Sequence, residues 1–199
     1  MRSTTLLCTL MTLVSVTWAS SDPLASSSPD QIRFASPSTS SLPSLADLLT
    51  RSRHSRLFYD YARESRSVST RLADPREATT VFAPVDQAII SLARKPHEGP
   101  VKGRAASTAV VAGSREDEIE KAEYLERWIE RHLVPTKVDL DEPSWYRTIE
   151  GHTTLELVKG DEEGSFRVHP GNLEVVSHEI ASNGVVLYIR GVLPLENVD

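Results

Sequence analysis

Hydrophobic positions recur at helical spacing through the first part of the folded region and at strand spacing through the last part. Leu45, Leu48 and Leu49 share one helical face, with Ser44 and Asp47 at capping-box spacing just after Pro43. Leu57, Phe58, Tyr61 and Ala62 form a second helical patch. Ile119, Ala122, Leu125, Trp128, Ile129 and Leu133 fall on one long stripe, opened by Ser114 and Asp117 and ended by Pro135. Glu116, Glu118, Glu120, Lys121, Glu126 and Arg127 are predicted to face solvent, and Trp128, at core spacing, to anchor the interior.

One strand interrupts these helices. Residues 79–82 are β-branched and aromatic, and Pro84 removes the donor a ladder would need next. Beyond it Ala88, Ile89 and Leu92 share a helical face. Asp86 suits the positive start of that helix, Arg94 and Lys95 its negative end, and Pro96 its stop. From Arg147 the period becomes two, with predicted strands over 153–159, 165–169, 173–178 and 185–192. The last is almost wholly apolar and is predicted to be central. Asn183-Gly184 reads as a hairpin turn in which Gly184 needs a positive φ. Helices followed by a run of antiparallel strands predict a single α+β domain over residues 44–196.

Residues 79–89 spell Thr-Thr-Val-Phe-Ala-Pro-Val-Asp-Gln-Ala-Ile, which resembles the first conserved box of the fasciclin domain. Leu125, Ile129, His132, Val134 and Pro135 resemble the middle box. Ile180, Ala181, Asn183-Gly184-Val185-Val186, Val192, Leu193 and Pro194 resemble the last. The three boxes fall in the family's order over about residues 44–194. The resemblance implies a β-sandwich or wedge with a helical layer, in a family of extracytoplasmic, mostly adhesive proteins. It also implies that Thr80, Val81, Phe82, Ala83, Pro84, His132, Asn183, Gly184, Leu193 and Pro194 specify the fold rather than touch a ligand. The chain departs from the pattern at Arg131, where the family has the tyrosine of a Tyr-His pair tied to integrin binding in animal members. It departs again at Leu187 and Arg190, where the family has histidine and aspartate. Residues 93–98, Ala-Arg-Lys-Pro-His-Glu, resemble single-domain fungal members assigned to the vacuole or secretory pathway.

Composition narrows the setting. The chain has 199 residues, 22 Lys+Arg against 28 Asp+Glu, and a net charge of −6, which argues against nucleic acid as a partner. Residues 1–19 have the positive start, short apolar run and small-residue site of a secretory signal peptide, so cleavage would leave no stable membrane anchor and would remove Cys8, the one cysteine. Residues 20–43 are rich in Ser and Pro and read as a disordered linker. Residues 101–113 read as a surface loop. Arg51, Arg53, Arg56, Arg63 and Arg66 are interleaved with Asp60 and Glu64. They read as a solvated face, the alternative being a basic patch for an acidic glycan or a phosphate-bearing lipid.

Catalytic patterns are missing from the sequence. None of the six histidines sits in a zinc-binding His-Glu-x-x-His pattern, and neither a nucleophile elbow nor a glycine-rich phosphate loop is present. His132 reads as a buried structural histidine. Asp161, Glu162 and Glu163 read as a hairpin turn rather than a calcium loop. The expected function is therefore a non-catalytic secretory-pathway interaction module. Its partner would be a protein or a cell-wall glycan, it would need no cofactor, and it would lie in the vacuole lumen or at the cell surface. The alternatives are a luminal hydrolase or metal-dependent enzyme using His169 and His178, on neighbouring predicted strands, and a purely architectural luminal protein.

Overall fold

A computed structural model describes residues 42–100, 113–142, 144–160 and 164–194. The expected signal peptide with Cys8, nearly all of the 20–43 linker, residues 101–112 of the loop, the acidic 161–163 turn and the chain after Pro194 lie outside the described residues.

Helix α1 (Leu45–Arg51) opens on a reciprocal capping box. The Ser44 hydroxyl accepts from the Asp47 N–H at 3.2 Å, and the Asp47 carboxylate accepts from the Ser44 N–H at 3.1 Å. Helices α2 (Arg56–Ala62) and α3 (Arg66–Ala73) follow, then strand β1 (Thr79–Pro84), helix α4 (Asp86–Ile90) and a 3₁₀ turn at Pro96–Glu98. Helix α5 (Arg115–Arg131) leads into β2 (Leu133–Val134), β3 (Trp145–Arg147), β4 (Thr154–Lys159), β5 (Phe166–His169), β6 (Leu173–Ala181) and β7 (Gly184–Ile189).

The strands form one sheet in the order β2-β1-β7-β6-β5-β4-β3. The α+β class holds, but the sheet is mixed rather than wholly antiparallel, because β1 and β7 run parallel from Thr79↔Gly184 to Pro84↔Ile189. A parallel pair needs a long crossover, and the chain from α4 to β6 supplies it. Strand β7 has partners on both sides, as its apolar run predicted.

Both faces of β1 and β7 are covered, so every residue of these strands is buried. On one face Val81, Ala83, Val186 and Tyr188 pack beneath Leu45, Leu49, Phe58, Leu72 and Trp128 of the helices. On the other, Phe82, Val185, Leu187 and Ile189 cluster with Leu155, Leu157, Phe166 and Val168 of β4 and β5. The sandwich or wedge that the resemblance implied is here one continuous sheet whose inner face packs on itself.

Three local expectations need correction. Helix α4 ends at Ile90 rather than near Lys95, and only Ile89 of its expected face is fully buried. Lys95 Nζ nonetheless donates to the carbonyls of Ile90 and Leu92, at 2.8 and 2.6 Å, as a cation at a helix C-terminus should. The stripe of α5 is buried only from Leu125 onward, and Ile119 is 49 % exposed, because Phe58 and Tyr61 meet the helix at Trp128. The β6–β7 turn is Ser182-Asn183, closed by the Ala181↔Gly184 pair. Gly184 does not have a positive φ. A Cβ there would collide with the Thr79 carbonyl oxygen of the parallel neighbour, so the glycine is required by close approach.

Candidate functional site

The three boxes meet around His132, directly after α5. Its Nδ1–H donates to the Trp128 carbonyl at 2.8 Å, and its Nε2 accepts from the Leu193 N–H at 3.3 Å. The ring lies 4.5 Å from Trp128 and 5.7 Å from Phe58, between centroids. Burial pushes its pKa down to about 4, so the imidazole is neutral with both nitrogens occupied. Such a ring has no lone pair or proton free for a substrate.

Arg131 beside it is also buried, which sequence reasoning missed. Its Nε and one terminal nitrogen hold both oxygens of Glu150, at 2.9 and 2.7 Å, and its other terminal nitrogen donates to the Pro194 carbonyl at 2.5 Å. Thr153 Oγ1 donates to the same carboxylate at 3.1 Å. Burial raises the Glu150 pKa, but Arg131 and Thr153 outweigh it and hold the carboxyl below its ordinary value. A signal was available: Arg131 stands three residues after Trp128, on the buried side of its helix.

The first box builds the crossing of β1 with its neighbours. Thr80 Oγ1 donates to the Thr136 carbonyl at 2.7 Å and accepts from the Val138 N–H at 3.0 Å. Val81, Phe82 and Ala83 are wholly buried, and Pro84 closes the ladder opposite Ile189. Asp86, expected to start its own helix, also caps another. Its Oδ1 accepts from the Leu57 N–H at 2.8 Å, and Ser55 at the head of α2 makes no side-chain cap.

In the last box Asn183 ties three elements together. Its Oδ1 accepts from the Leu45 N–H at 2.8 Å, and its Nδ2 donates to the carbonyls of Leu72 and Asp74, both at 3.0 Å. Of the ten box residues only Pro194 is exposed. The polar box side chains Thr80, His132 and Asn183 thus make their hydrogen bonds inside the domain.

The histidine pair is not brought together. The β5–β6 register sets His169 beside the turn and His178 six residues farther along β6, about 20 Å away at strand rise. Among the described residues no group of three or more His, Cys, Asp or Glu side chains is placed to hold a metal ion.

Three surface features stand out among the described residues. The arginine face is partly paired, Arg63 with Asp60 at 2.5 Å and Arg71 with Glu77 at 2.9 Å. A groove of about 310 Å³ beside α3 is lined by Ser67, Arg71, Glu77 and Glu130, where burial and then Glu126 and Glu150 push the Glu130 pKa up. The outer face of β3, β4 and β5 carries Trp145, 64 % exposed.

Two fungal proteins are similar to this chain. Over 155 residues the chain is 34 % identical to a FAS1 domain-containing protein of Neurospora crassa, covering 74 % of this chain and 64 % of that protein. Over 152 residues it is 30 % identical to a FAS1 domain-containing protein of Aspergillus fumigatus, covering 76 % of this chain and 63 % of that protein. The chain is thus similar to two fungal FAS1 domain-containing proteins. It spans just under two-thirds of the length of these two FAS1 relatives. No family model matches it. Among solved structures, a FAS1 domain pair from the insect cell adhesion molecule fasciclin I aligns with a TM-score of 0.45 and 17 % identity, over 69 % of this chain and 44 % of that one.

Proposed function

We propose that this chain is a non-catalytic interaction module of the secretory pathway, presenting a FAS1-type surface to a protein or a cell-wall glycan. The observation that carries the reading is the inward direction of the boxes. Nine of their ten residues are buried, and His132, the group best suited to acid–base work, has both nitrogens committed to backbone partners. Chemistry locked into a core supports binding through other, outward side chains. Relatives named for their FAS1 domains support the same reading. Recognition through a Tyr-His pair is not part of it, since Arg131 occupies the tyrosine position and is consumed by Glu150 and Pro194.

The test is to localise a C-terminally tagged full-length protein and to shave intact cells with protease. Signal in the medium, or lost on shaving, supports an adhesive surface module. Signal protected within the vacuole directs the search to luminal partners. A cytosolic signal overturns the secretory part of the reading, and clean failure of both a cell-wall glycan array and a partner pull-down overturns the binding part.

A further inference from the structure

The helices cover only one end of the sheet's outer face. Over β1 and β7 that face is closed by the helical core. At the other end it carries Trp145 of β3, Glu156 of β4 and His169 of β5, which stand side by side in register. Their sequence neighbours Tyr146, Leu155, Leu157 and Val168 point into the inner core, so this row points out. Trp145 is the most exposed large hydrophobic side chain among the described residues. Its exposure does nothing for the fold, since a tryptophan stabilises by being buried.

What surrounds the indole identifies its partner. On the same face Val158 is the one aliphatic neighbour on β4, and Thr154, Glu156, Arg167 and His169 are all hydrogen-bonding groups. A protein hot spot needs an apolar ring that excludes water, and a membrane patch needs contiguous apolar area. Neither is present among the described residues of this face. One flat aromatic face set among donors and acceptors suits a sugar ring, which has an apolar C–H face and a rim of hydroxyls.

Charge refines the choice. Arg147 and Arg167 have no ion-pair partner among the described residues, whereas Arg190 on this side is taken by Glu174 at 3.5 Å. Arg147 Nε donates to the Gly151 carbonyl at 2.8 Å, which holds its guanidinium near the surface. Arg147 and Arg167 outnumber Glu156 on this face of β3, β4 and β5, in a chain of net charge −6. Arginine forks match carboxylates. From β3 to β5 the platform is on the order of 10 Å wide, enough for more than one sugar ring.

We propose that the Trp145–Glu156–His169 row, flanked by Arg147 and Arg167, binds an acidic oligosaccharide, with one ring stacked on Trp145 and a uronate carboxylate held by arginine. This rests on the reading of the chain as an interaction module and names its ligand class and surface.

The experiment is calorimetric titration of the full-length protein with a galacturonate tetramer and, separately, a neutral glucose tetramer, with tryptophan emission followed alongside. The acidic tetramer is expected to bind better and to change the emission. Trp145→Ala should weaken binding by at least about tenfold without moving the unfolding midpoint. Arg167→Ala should weaken it less and flatten its salt dependence. No binding of the acidic tetramer, or a preference for the neutral one, overturns the proposal. Unchanged binding by Trp145→Ala overturns the site while leaving the module reading intact. A dimer in sedimentation that Trp145→Ala abolishes would make this face a contact between copies, and would also overturn it.

Discussion

Arg131 and Glu150 meet as a fork on a fork, nineteen residues apart in sequence and nearly sealed from solvent, with side-chain exposures of 2 and 7 %. The pair joins the end of α5 to the turn before β4, and through the Pro194 carbonyl it also holds the last box. Placing the family's tyrosine at this position, Arg131→Tyr, strands a buried carboxylate and should cost about 3–5 kcal/mol. Adding Glu150→Gln should recover part of that loss. A double-mutant cycle by urea denaturation reads the coupling, and additive losses would show that the two side chains act independently.

His132 makes stability depend on pH. The folded imidazole has a pKa of about 4, against 6.5 for an unperturbed histidine. Above pH 6.5 both states are neutral and the contribution is fully present. As pH falls from 6.5 towards 4 the unfolded chain takes up a proton that the folded one refuses, so stability falls by up to about 1.4 kcal/mol per pH unit. Wild type and His132→Gln should therefore converge in unfolding free energy between pH 7 and 5. Parallel curves would contradict the assignment.

Gly184→Ala should be among the most damaging single methyl additions in the domain, because the methyl meets the Thr79 carbonyl oxygen inside the ladder. Gly164→Ala is the control. Gly164 has φ +78° with no heavy atom within 4 Å of the added Cβ, so that change should cost only about 1 kcal/mol of backbone strain. Thermal unfolding of the two variants separates close approach from turn geometry. A larger loss in Gly164→Ala would reverse the argument.

Asn183 should be intolerant of its own isostere. Asn183→Ala leaves the Leu45 N–H and the Leu72 and Asp74 carbonyls without this partner, at about 1–3 kcal/mol for each group left unsatisfied. Asn183→Asp keeps the acceptor for Leu45 but turns a second oxygen onto two carbonyls. It should be the less stable variant at neutral pH and should regain ground in acid, where its carboxyl protonates. Chemical denaturation at pH 7 and pH 4 compares them.

Asp86→Ala should fray α2 rather than α4. Removing the cap on Leu57 should cost on the order of 1 kcal/mol, and Asp86→Asn should retain most of it. Amide exchange at Leu57 distinguishes this from loss at the start of α4.

Much of the architecture is legible in the order of residues, for local reasons. The capping box at Ser44 and Asp47, the core position of Trp128 and the central place of β7 follow from side-chain period and from hydrogen bonds between near neighbours. Helix α3 and strands β2 and β3 are not legible in this way. Two or three residues are too few to display a period, and in residues 66–73 the two buried positions, Val68 and Leu72, stand among arginines and serines that hide the apolar face.

What the tertiary structure decided is set by residues distant in sequence. Glycine at 184 reads as a turn residue until β1 is laid parallel beside it. Asp86 reads as a cap for its own helix until His54–Leu57 arrives next to it. Arg131 reads as a family mismatch until Glu150 and Pro194 close around it, and Trp145 belongs to no predicted element until the helices are seen to stop short of β3. Period and capping depend on residues within a few positions of each other. Close approach, burial of a charge and exposure of a ring depend on which segments share a neighbourhood, and only the fold determines that.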